Sequence, residues 1–254
     1  MKILIIIPSY NEEATVGDVI DEVRKFVPEA SVLVVDDGSK DATSSKALEK
    51  GVRAVRHPFN MGIGAAMQTG YKYALRNGYD IAVQIDADGQ HPANQIRDLI
   101  APLLKLDSRD PSGGWVPRDR GNDKMGQHEA DMVVGSRFLG AGDYKPSMAR
   151  AAGIAIFSKV VSFIIKEKLT DTTSGFRAVN RGVIEFLSRA YPDDYPEVEA
   201  LVLLHKRGFA IIEVPVIMSE RRGGKSSITA AKSVYYMVKV LLAVFVDLLK
   251  EVKR

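Results

Sequence analysis

The sequence lacks cysteine altogether, which excludes a disulfide framework and thiolate chemistry and is consistent with a reducing compartment. It also lacks any run of roughly 18 uncharged apolar residues, so we predict no membrane-spanning helix. The net charge of +3 on 254 residues is too small to favour nucleic acid as a partner. These absences are consistent with an ordinary globular protein. The chain is long enough to bury a hydrophobic core that is stable without disulfide bonds.

Two common nucleotide-binding motifs are also missing. The segment HPFNMGIGAA, which contains Gly62 and Gly64, is neither a G-x-G-x-x-G fingerprint nor a G-x-x-x-x-G-K-[ST] loop. This argues against a dinucleotide-dependent dehydrogenase and against a P-loop nucleoside triphosphatase. The short apolar run at the N-terminus ends at Pro8, so it predicts a strand and not a signal peptide.

Strands and helices alternate along the first half of the chain. The apolar runs Ile3–Ile7 and Ser31–Val35 are typical of strands buried on both faces, and segments with apolar residues at helical spacing follow them. The alternation predicts an α/β fold with a mostly parallel sheet flanked by helices. In such a fold ligands bind at the carboxyl ends of the strands. In the second half we predict helices at 149–166, 182–190 and 197–207, and a strand within 208–216.

Composition separates two segments from the rest of the chain. We expect one domain over residues 1–227. Within it, residues 107–130 are rich in charge, glycine and proline and include the only tryptophan, Trp115. Such a segment is typical of a mobile surface insertion or of a lid. Residues 228–254 predict a C-terminal amphipathic helix.

Two carboxylates follow an apolar stretch in the segment DADGQHP. Asp86 and Asp88 are two residues apart, so on an extended backbone their side chains point the same way. Carboxylate oxygens suit Mg²⁺ or Mn²⁺, and Mg²⁺ binds one or two carboxylates together with substrate phosphates. A D-x-D pair also occurs by chance in solvated turns. Its position after a strand of a parallel sheet favours a metal site.

Polar residues follow the neighbouring strands as well. Asp36 and Asp37 end the second strand, where acidic side chains suit a sugar hydroxyl or the N–H edge of a base. Ser39 or Asp41 is expected to cap the next helix. The segment NMGIGAA opens a helix, and its small residues permit close approach of a phosphate to the helix N-terminus.

These segments together resemble a known family. PSYNEE, VVDDGSKDAT, NMGIGAAMQTGY and DADGQHP, in this order and spacing, are similar to motifs of family 2 inverting glycosyltransferases of the GT-A fold. Farther on, VVGSRF, DTTSGFR, EVPV and RRGGKSS resemble the branch of dolichol-phosphate mannose synthases and polyprenyl-phosphate glycosyltransferases. The resemblance covers residues 3–228. It implies a Rossmann-like GT-A domain that transfers a hexose from a UDP- or GDP-linked sugar with a divalent metal ion.

The resemblance also implies roles for individual residues. The donor nucleotide sugar would contact Pro8, Tyr10, Glu12, Asp36, Asp37, Asn60, Gly64, Asp86, Arg221, Arg222, Lys225 and Ser226. The ion, Mg²⁺ or Mn²⁺, would bind Asp86, Asp88 and Gln90. The acceptor phosphate would bind Arg137, Ser174 and Arg177. The residues that carry catalysis would be Asp88, Arg137, Arg177 and Glu199.

Some residues near these motifs are assigned structural roles. Asp171 and Thr172, which precede SGFR, are expected to shape that turn. His57, His128 and His205 lack metal-ligand spacing, so we expect each to be structural or exposed. His91 adjoins the D-x-D pair, but direct ligation by it is not favoured.

The acceptor remains open between two classes. A polyprenyl phosphate is already ionised at neutral pH, so positioning and arginine clamps supply most of what the reaction needs. A glycan hydroxyl requires a carboxylate base, for which YPEVEAL offers Glu197 and Glu199. On a helix these two diverge by about 200°, so at most one faces the site. The alternative for both is an exposed acidic first turn.

Two other classes fit the sequence less well. A non-catalytic nucleotide-sugar sensor would have no need of an acceptor clamp. A nucleotidyltransferase would share the sheet and the metal, but the first strand is not followed by a glycine-rich basic loop for a triphosphate.

The C-terminal segment bears on where the protein acts. Its lysines border an apolar stripe that contains Tyr235, Tyr236 and Phe245, which suits a helix in a membrane interface. Packing against a second subunit, which would give a homo-oligomer, or against the domain itself fits the same pattern. The helix at 149–166 is a second candidate for a membrane face, although the core is its default location. We expect a peripheral protein on the cytoplasmic face of the membrane.

One motif departs from the mannose synthases. RRGGKSS differs from the G-x-S-K pattern associated with them, and YPEVEAL is closer to transferases of surface polysaccharide pathways. This difference favours a UDP-sugar donor over GDP-mannose.

Overall fold

The computed structural model describes residues 1–104, 130–139, 148–166, 168–192 and 196–219, together with Lys239 and Leu242. The strands are β1 (Ile3–Ser9), β2 (Ser31–Asp36), β3 (Arg53–Arg56), β4 (Ile81–Gln84), β5 (Met132–Ser136), β6 (Arg177–Asn180) and β7 (Ile211–Pro215). The helices are α1 (Val16–Phe26), α2 (Thr43–Glu49), α3 (Ile63–Arg76), α4 (Ile96–Leu104), α5 (Met148–Ile165), α6 (Arg181–Arg189) and α7 (Pro196–Lys206), with a short 3₁₀ turn at Ala93–Gln95.

The strands form one seven-stranded sheet in the order β3-β2-β1-β4-β6-β5-β7. β1 pairs in parallel with β2 and β4, and β5 pairs in parallel with β7. Only β6 runs against its neighbours, between β4 and β5. The predicted α/β fold with a mostly parallel sheet is therefore confirmed.

The antiparallel strand β6 was missed by sequence analysis, which assigned this region to a turn followed by a helix. Its sequence, RAVN, is only four residues long and has too little periodicity to identify it. The strand exists because it pairs on both sides, with Gln84 opposite Arg177 and Val134 opposite Arg177. Consequently Arg177 begins β6 at the edge where the parallel strands end.

Helices cover both faces of the sheet because its side chains alternate. On β1, Leu4 and Ile6 join the core beneath α3, α5, α6 and α7, whereas Ile5 and Ile7 join the core beneath α1 and α4. All of these β1 side chains are completely buried. The two cores hold the sheet rigid, so its carboxyl edge is a fixed platform for the loops that follow β1, β2, β4 and β5.

Helix α5 carries apolar side chains on both its buried and its exposed sides. Phe157 and Val161 are buried, whereas Ile156 is 42% and Phe163 is 86% exposed. Within the described part of the chain, no helix has both the length and the apolar character needed to cross a membrane. The insertion, apart from Ala130, lies outside the described residues. So does the C-terminal segment, apart from Lys239 and Leu242. The roles predicted for both segments stay predictions.

Candidate active site

The loops after β1 and β2 are joined to each other by hydrogen bonds at the carboxyl edge. The Asn11 N–H donates to Ser39 Oγ at 2.9 Å, and the Lys40 N–H donates to Asn11 Oδ1 at 2.8 Å. The Glu12 N–H donates to Thr43 Oγ1 at 2.8 Å. These reciprocal contacts explain why PSYNEE and DDGSKDAT are both rich in short polar side chains. They hold the two loops as one surface.

The residues of the β1 loop that are predicted to contact the donor differ in how deeply they are buried. Pro8 is buried within β1, whereas Tyr10 is 42% exposed. Glu12 is half-buried, and its Oε2 accepts a hydrogen bond from Thr15 Oγ1 at 3.0 Å. Of these three predicted contacts, Tyr10 is therefore the one that is exposed.

Asp36 has a structural role in the second loop. It is completely buried; its Oδ1 accepts the Ser39 N–H at 2.8 Å, and its Oδ2 accepts the Ser44 hydroxyl. Arg56 lies 3.7 Å away on the solvent side. Asp36 thus shapes the turn into α2, and its predicted contact with the nucleotide stays a prediction.

Asp37 connects the second loop to the segment that opens α3. Its carboxylate accepts the N–H groups of Met61 and Gly62 at 2.9 and 2.7 Å, and His57 Nδ1 lies 2.7 Å from it. The other ring nitrogen of His57 lies 2.9 Å from Thr69 Oγ1. The predicted structural role of His57 is confirmed. Because Asp37 occupies these amides, they are not available to a phosphate.

A single glycine permits this approach. Gly38 has φ +75°, and a Cβ there would lie 2.5 Å from the carbonyl carbon of Phe59. Asn60, which follows Phe59, is exposed at the carboxyl edge of the sheet, and Gly64 is buried in the first turn of α3. The predicted donor residues of the β1, β2 and β3 loops therefore do meet at one edge of the sheet.

The D-x-D pair lies in the loop after β4. The Asp86 side chain is 39% exposed, whereas Asp88 is 5% exposed and its Oδ1 accepts the Gln90 N–H at 3.0 Å. The described residues contain no group of three or more His, Cys, Asp or Glu side chains that would hold a metal. Two carboxylates beside a half-buried Gln90 fit an Mg²⁺ or Mn²⁺ ion that takes its remaining oxygens from a diphosphate and water.

The turn before β6 packs against Asp86. A Cβ at Gly175 would lie 3.4 Å from Asp86 Oδ1 and 3.1 Å from Gln84 Nε2, so a larger residue would crowd the carboxylate. Ser174, predicted to bind the acceptor phosphate, is buried in this turn, and its Oγ accepts the Phe176 N–H at 3.3 Å. The SGFR motif therefore forms one wall beside the D-x-D pair.

Arg137 follows β5 at the same edge and is bound to Asp171. Arg137 Nε and Nη2 donate to the two Asp171 oxygens at 2.6 and 2.7 Å, and Nη2 also donates to Thr173 Oγ1 at 2.9 Å. Asp171 is in turn held by Glu213, whose Oε1 accepts the Asp171 N–H at 2.6 Å. The expectation that Asp171 shapes this turn is confirmed. Glu213, a positioning residue in EVPV, was not assigned that role from sequence.

Arg177 is buried, with 1% of its surface exposed. Its Nε and Nη2 donate to the carbonyl oxygens of Ser174 and Thr172 at 2.7 and 3.1 Å. Among the described residues, the buried side-chain atoms without a partner are Arg177 Nη1 and Thr172 Oγ1, both in this region. The structure gives Arg177 a role in shaping the turn; its predicted contact with the acceptor phosphate stays a prediction.

Glu197 is electrostatically coupled to this cluster. Burial raises the pKa of its carboxyl, the Arg177 guanidinium opposes that rise, and the charge of Asp86 adds to it. Burial also raises the pKa of Tyr191, with Tyr71 adding to the rise, and the two rings are 5.4 Å apart. Glu199 is the residue predicted from sequence as a base, and its role stays a prediction. The coupling to Arg177 and Asp86 makes Glu197 a second candidate for the same role.

The segment after β7 returns to the D-x-D motif. The Ser219 N–H donates to the carbonyl oxygen of Gln90 at 2.9 Å, and the Ile217 N–H donates to Gln95 Oε1 at 3.0 Å. Arg221, Arg222, Lys225 and Ser226 of RRGGKSS follow in sequence and lie outside the described residues. The segment that leads to RRGGKSS therefore passes beside the candidate metal ligands, and the contacts predicted for those four residues stay predictions.

Comparison with solved structures shows that this is the GT-A fold. Glucosyl-3-phosphoglycerate synthase from Mycobacterium tuberculosis, solved with Mn²⁺, uridine diphosphate and glucosyl-3-phosphoglycerate, superposes with a TM-score of 0.66 over 97% of this chain and 79% of that one. The identity is 19%, so this likeness shows the fold alone.

The glycosyl transferase family 2 profile matches residues 4–187, and the chain belongs to that family; it is a glycosyltransferase. Polyprenol monophosphomannose synthase from Mycolicibacterium smegmatis is 28% identical over 249 residues, covering 94% of this chain and 85% of that protein. UDP-N-acetylglucosamine–dolichyl-phosphate N-acetylglucosaminyltransferase from Methanococcus voltae is 31% identical over 234 residues, covering 84% of each. The predicted family is therefore confirmed.

Proposed function

We propose that this protein is a metal-dependent, inverting glycosyltransferase that moves a hexose from a UDP- or GDP-linked sugar to a polyprenyl or dolichyl phosphate. The observation that carries the proposal is the meeting of two kinds of side chain at one sheet edge. Asp86 and Asp88 suit a diphosphate-bound cation, and Arg137 suits a second phosphate. The names of the relatives, which include a mannose transfer to polyprenol phosphate and an N-acetylglucosamine transfer to dolichyl phosphate, support the same reaction class.

The donor would occupy the surface formed by the joined β1 and β2 loops. Tyr10 offers an exposed ring, and Asn60 an exposed amide, beside the fixed Asp37 loop. Asp86, Asp88 and Gln90 would hold Mg²⁺ or Mn²⁺, and the ion would stabilise the charge that develops on the leaving nucleoside diphosphate. The solved Mycobacterium tuberculosis neighbour with Mn²⁺ and uridine diphosphate supports a divalent ion and a uridine nucleotide.

The acceptor would be a lipid phosphate because apolar groups adjoin the arginine. Phe138 and Leu139, which follow Arg137 directly, are 38% and 46% exposed. The guanidinium carbon lies 5.8 Å from the centre of the Phe138 ring. A phosphate on Arg137 would thus extend its isoprenoid chain over apolar side chains, and burial of that chain would favour binding.

In the proposed reaction an oxygen of the acceptor phosphate forms a bond to C1 of the sugar. The bond from C1 to the diphosphate oxygen breaks on the opposite face, and the nucleoside diphosphate leaves with the electron pair. No proton has to be removed, since the phosphate is ionised at neutral pH. Arg137 therefore needs only to bind and orient the nucleophile, in a position fixed by Asp171.

A second acceptor class is supported by one observation. Transfer to a glycan hydroxyl needs a carboxylate base, and Glu197 is a half-buried carboxyl coupled to Asp86 with a raised pKa. A raised pKa improves a carboxylate as a base near neutral pH. In that case Glu197, or Glu199 as predicted from sequence, would deprotonate the sugar acceptor in surface polysaccharide synthesis.

We also propose that the protein acts as a peripheral protein on the cytoplasmic face of the membrane. Helix α5 exposes Ile156 and Phe163, Lys159 is exposed at helical spacing from both, and exposed Lys166 follows the end of the helix. Apolar side chains bordered by lysines match an anionic lipid surface. The opposite side of α5 reaches the site, since Ser158 Oγ donates to the Thr170 carbonyl oxygen at 3.0 Å, next to Asp171. Association of subunits through residues 228–254 stays a prediction.

The acceptor experiment compares three compounds under identical conditions. Labelled UDP- and GDP-hexoses are incubated with a short polyprenyl phosphate, with the matching polyprenyl alcohol and with a free oligosaccharide. We expect product from the phosphate only. Product from the oligosaccharide, lost in Glu197→Gln, would replace the lipid acceptor by a glycan.

A further inference from the structure

His91 lies behind Asp86 and approaches it at two points. Its Nδ1 accepts the Asp86 N–H at 2.9 Å, and its Nε2 lies 3.5 Å from Asp86 Oδ2. The imidazole is 5% exposed, whereas the Asp86 side chain is 39% exposed. A buried ring therefore supports a carboxylate that otherwise projects into the site.

The orientation of the ring is determined by its neighbours. Because Nδ1 accepts a backbone N–H, the ring proton resides on Nε2, the nitrogen that faces the carboxylate. The ring also stacks on Phe176, with centroids 5.2 Å apart and planes inclined by 24°. Phe176 is completely buried, so it restricts rotation of the imidazole.

Asp86 has few other constraints. Within the described part of the chain, no hydrogen bond reaches either of its carboxylate oxygens, whereas Asp88 Oδ1 accepts the Gln90 N–H. The 3.5 Å separation from His91 Nε2 is longer than a hydrogen bond. A small rotation of the exposed Asp86 side chain closes it. The carboxylate would then be anchored through Oδ2, with Oδ1 left for a cation.

We propose that His91 is a positioning residue for Asp86: Nε2–H holds Oδ2 and presents Oδ1 to the metal ion of the donor complex. The inference rests on the proposed function, since it assumes that Asp86 binds a divalent ion. Partners that orient a metal-binding carboxylate raise metal affinity by about 10- to 100-fold. The sequence places His91 beside the D-x-D pair, but only the folded turn shows that its ring lies behind Asp86.

Two substitutions separate the contacts of the ring. In His91→Asn the side-chain amide reaches the position of Nδ1, so it keeps an acceptor for the Asp86 N–H and loses the group that faces Oδ2. In His91→Gln the amide reaches the position of Nε2 and keeps a donor toward Oδ2. A merely structural role, in which the ring supports the backbone of the loop, predicts that asparagine is the better substitute.

The experiment measures Mn²⁺ binding to the full chain in the presence of uridine diphosphate, by electron paramagnetic resonance of the free ion. We expect His91→Asn to weaken Mn²⁺ affinity by about 10- to 100-fold and His91→Gln to stay within a few-fold of the wild type. His205→Asn is the matched control. His205 lies in the last turn of α7, eight residues or about 12 Å along the helix from Glu197. The His205→Asn variant should therefore bind Mn²⁺ with the same affinity as the wild type. Thermal unfolding of each variant checks that it is folded.

Two results would overturn the inference. If the asparagine variant binds Mn²⁺ as well as the wild type, or if both variants lose affinity equally while folded, His91 does not position Asp86. If the wild type itself binds no Mn²⁺ with uridine diphosphate or guanosine diphosphate, the metal site of the proposed function fails, and this inference fails with it. The wild-type titration therefore distinguishes the two failures.

Discussion

Arg137 and Asp171 form a two-point ion pair at the end of β5, with Nε–Oδ2 and Nη2–Oδ1 distances of 2.6 and 2.7 Å. Asp171 is fully buried, and Arg137 is 15% exposed. Behind the pair, Glu213 accepts the N–H groups of Thr170 and Asp171 at 2.7 and 2.6 Å. The guanidinium is thus oriented before any ligand arrives, which lowers the cost of binding a phosphate.

Replacing Arg137 by lysine tests the acceptor clamp. Lysine keeps the charge but not the planar fork, so it cannot hold the pair with Asp171 and a phosphate in the same geometry. We expect the KM for a short polyprenyl phosphate to rise by about 10-fold or more, because the loss of one hydrogen bond to a charged group weakens binding by that much. Initial rates over a range of acceptor concentrations at saturating donor give this value. Arg97→Lys is the control, because Arg97 forms an exposed pair with Glu29. An unchanged KM and kcat in Arg137→Lys would remove Arg137 from the acceptor site.

Replacing Arg177 by methionine distinguishes a structural from a binding role. The change leaves the carbonyl oxygens of Ser174 and Thr172 without their buried donor and removes a positive charge beside Glu197. Breaking a buried charge network costs about 3–5 kcal/mol. We expect a loss of that order in the free energy of unfolding, measured with urea. A variant with wild-type stability and no transfer activity would instead assign Arg177 to direct contact with the acceptor.

Glu197 predicts a pH dependence of stability. Its pKa is raised in the folded protein, so the folded state binds its proton more tightly than the unfolded state. The stability that this carboxyl contributes is present below its unfolded pKa of about 4.5 and is lost as pH rises through the folded pKa. The free energy of unfolding of the wild type minus that of Glu197→Gln should therefore fall as pH increases above about 4.5 and then level off. Urea titrations from pH 4.5 to 8 measure the difference, and an increase over that range would contradict the assignment.

Phe163 tests the lipid-facing side of α5. Phe163→Glu replaces an 86% exposed aromatic by a charge of the same sign as anionic lipids. We expect binding to vesicles of anionic phospholipid to fall by about 10-fold or more, since burial of such a side chain contributes about 1.5–3 kcal/mol. Sedimentation with vesicles measures it, and Leu48→Glu, 61% exposed on α2, is the control. Transfer to a short, soluble acceptor should be unaffected. Equal vesicle binding by both variants would exclude α5 as the lipid-facing surface.

Much of the fold follows from the sequence, for a physical reason. Strands buried on both faces, such as β1 and β2, are encoded by continuous apolar runs, and their order with helices dictates a parallel sheet. The same logic brings Asp37 and Asp86 to one edge, as the structure has them. Local sequence patterns therefore identify the sheet and the residues that follow its strands at the carboxyl edge.

The features of the fold and the site that the sequence does not predict depend on contacts between distant segments of the chain. β6 exists through pairing with β4 and β5, which four residues of sequence do not reveal. The contact of His91 with Asp86 depends on a turn that folds back on itself, and the coupling of Glu197 to Asp86 and Arg177 depends on the position of α7. Sequence spacing predicts that Glu197 and Glu199 point in different directions on a helix, but it does not reveal that Glu197 is coupled to Asp86 and Arg177.

Metal-dependent sugar transfer by the wild type and by Asp88→Asn tests most directly whether the D-x-D pair holds a catalytic metal ion. Asparagine keeps an oxygen for the Gln90 N–H and removes the charge, so the loop retains its hydrogen bond. Labelled sugar transfer to a short polyprenyl phosphate is measured in EDTA and during titration with Mn²⁺ or Mg²⁺. We expect no transfer in EDTA, recovery with the ion, and a rate at least about 100-fold lower in Asp88→Asn. Equal transfer in EDTA, or wild-type activity in Asp88→Asn, would contradict this expectation.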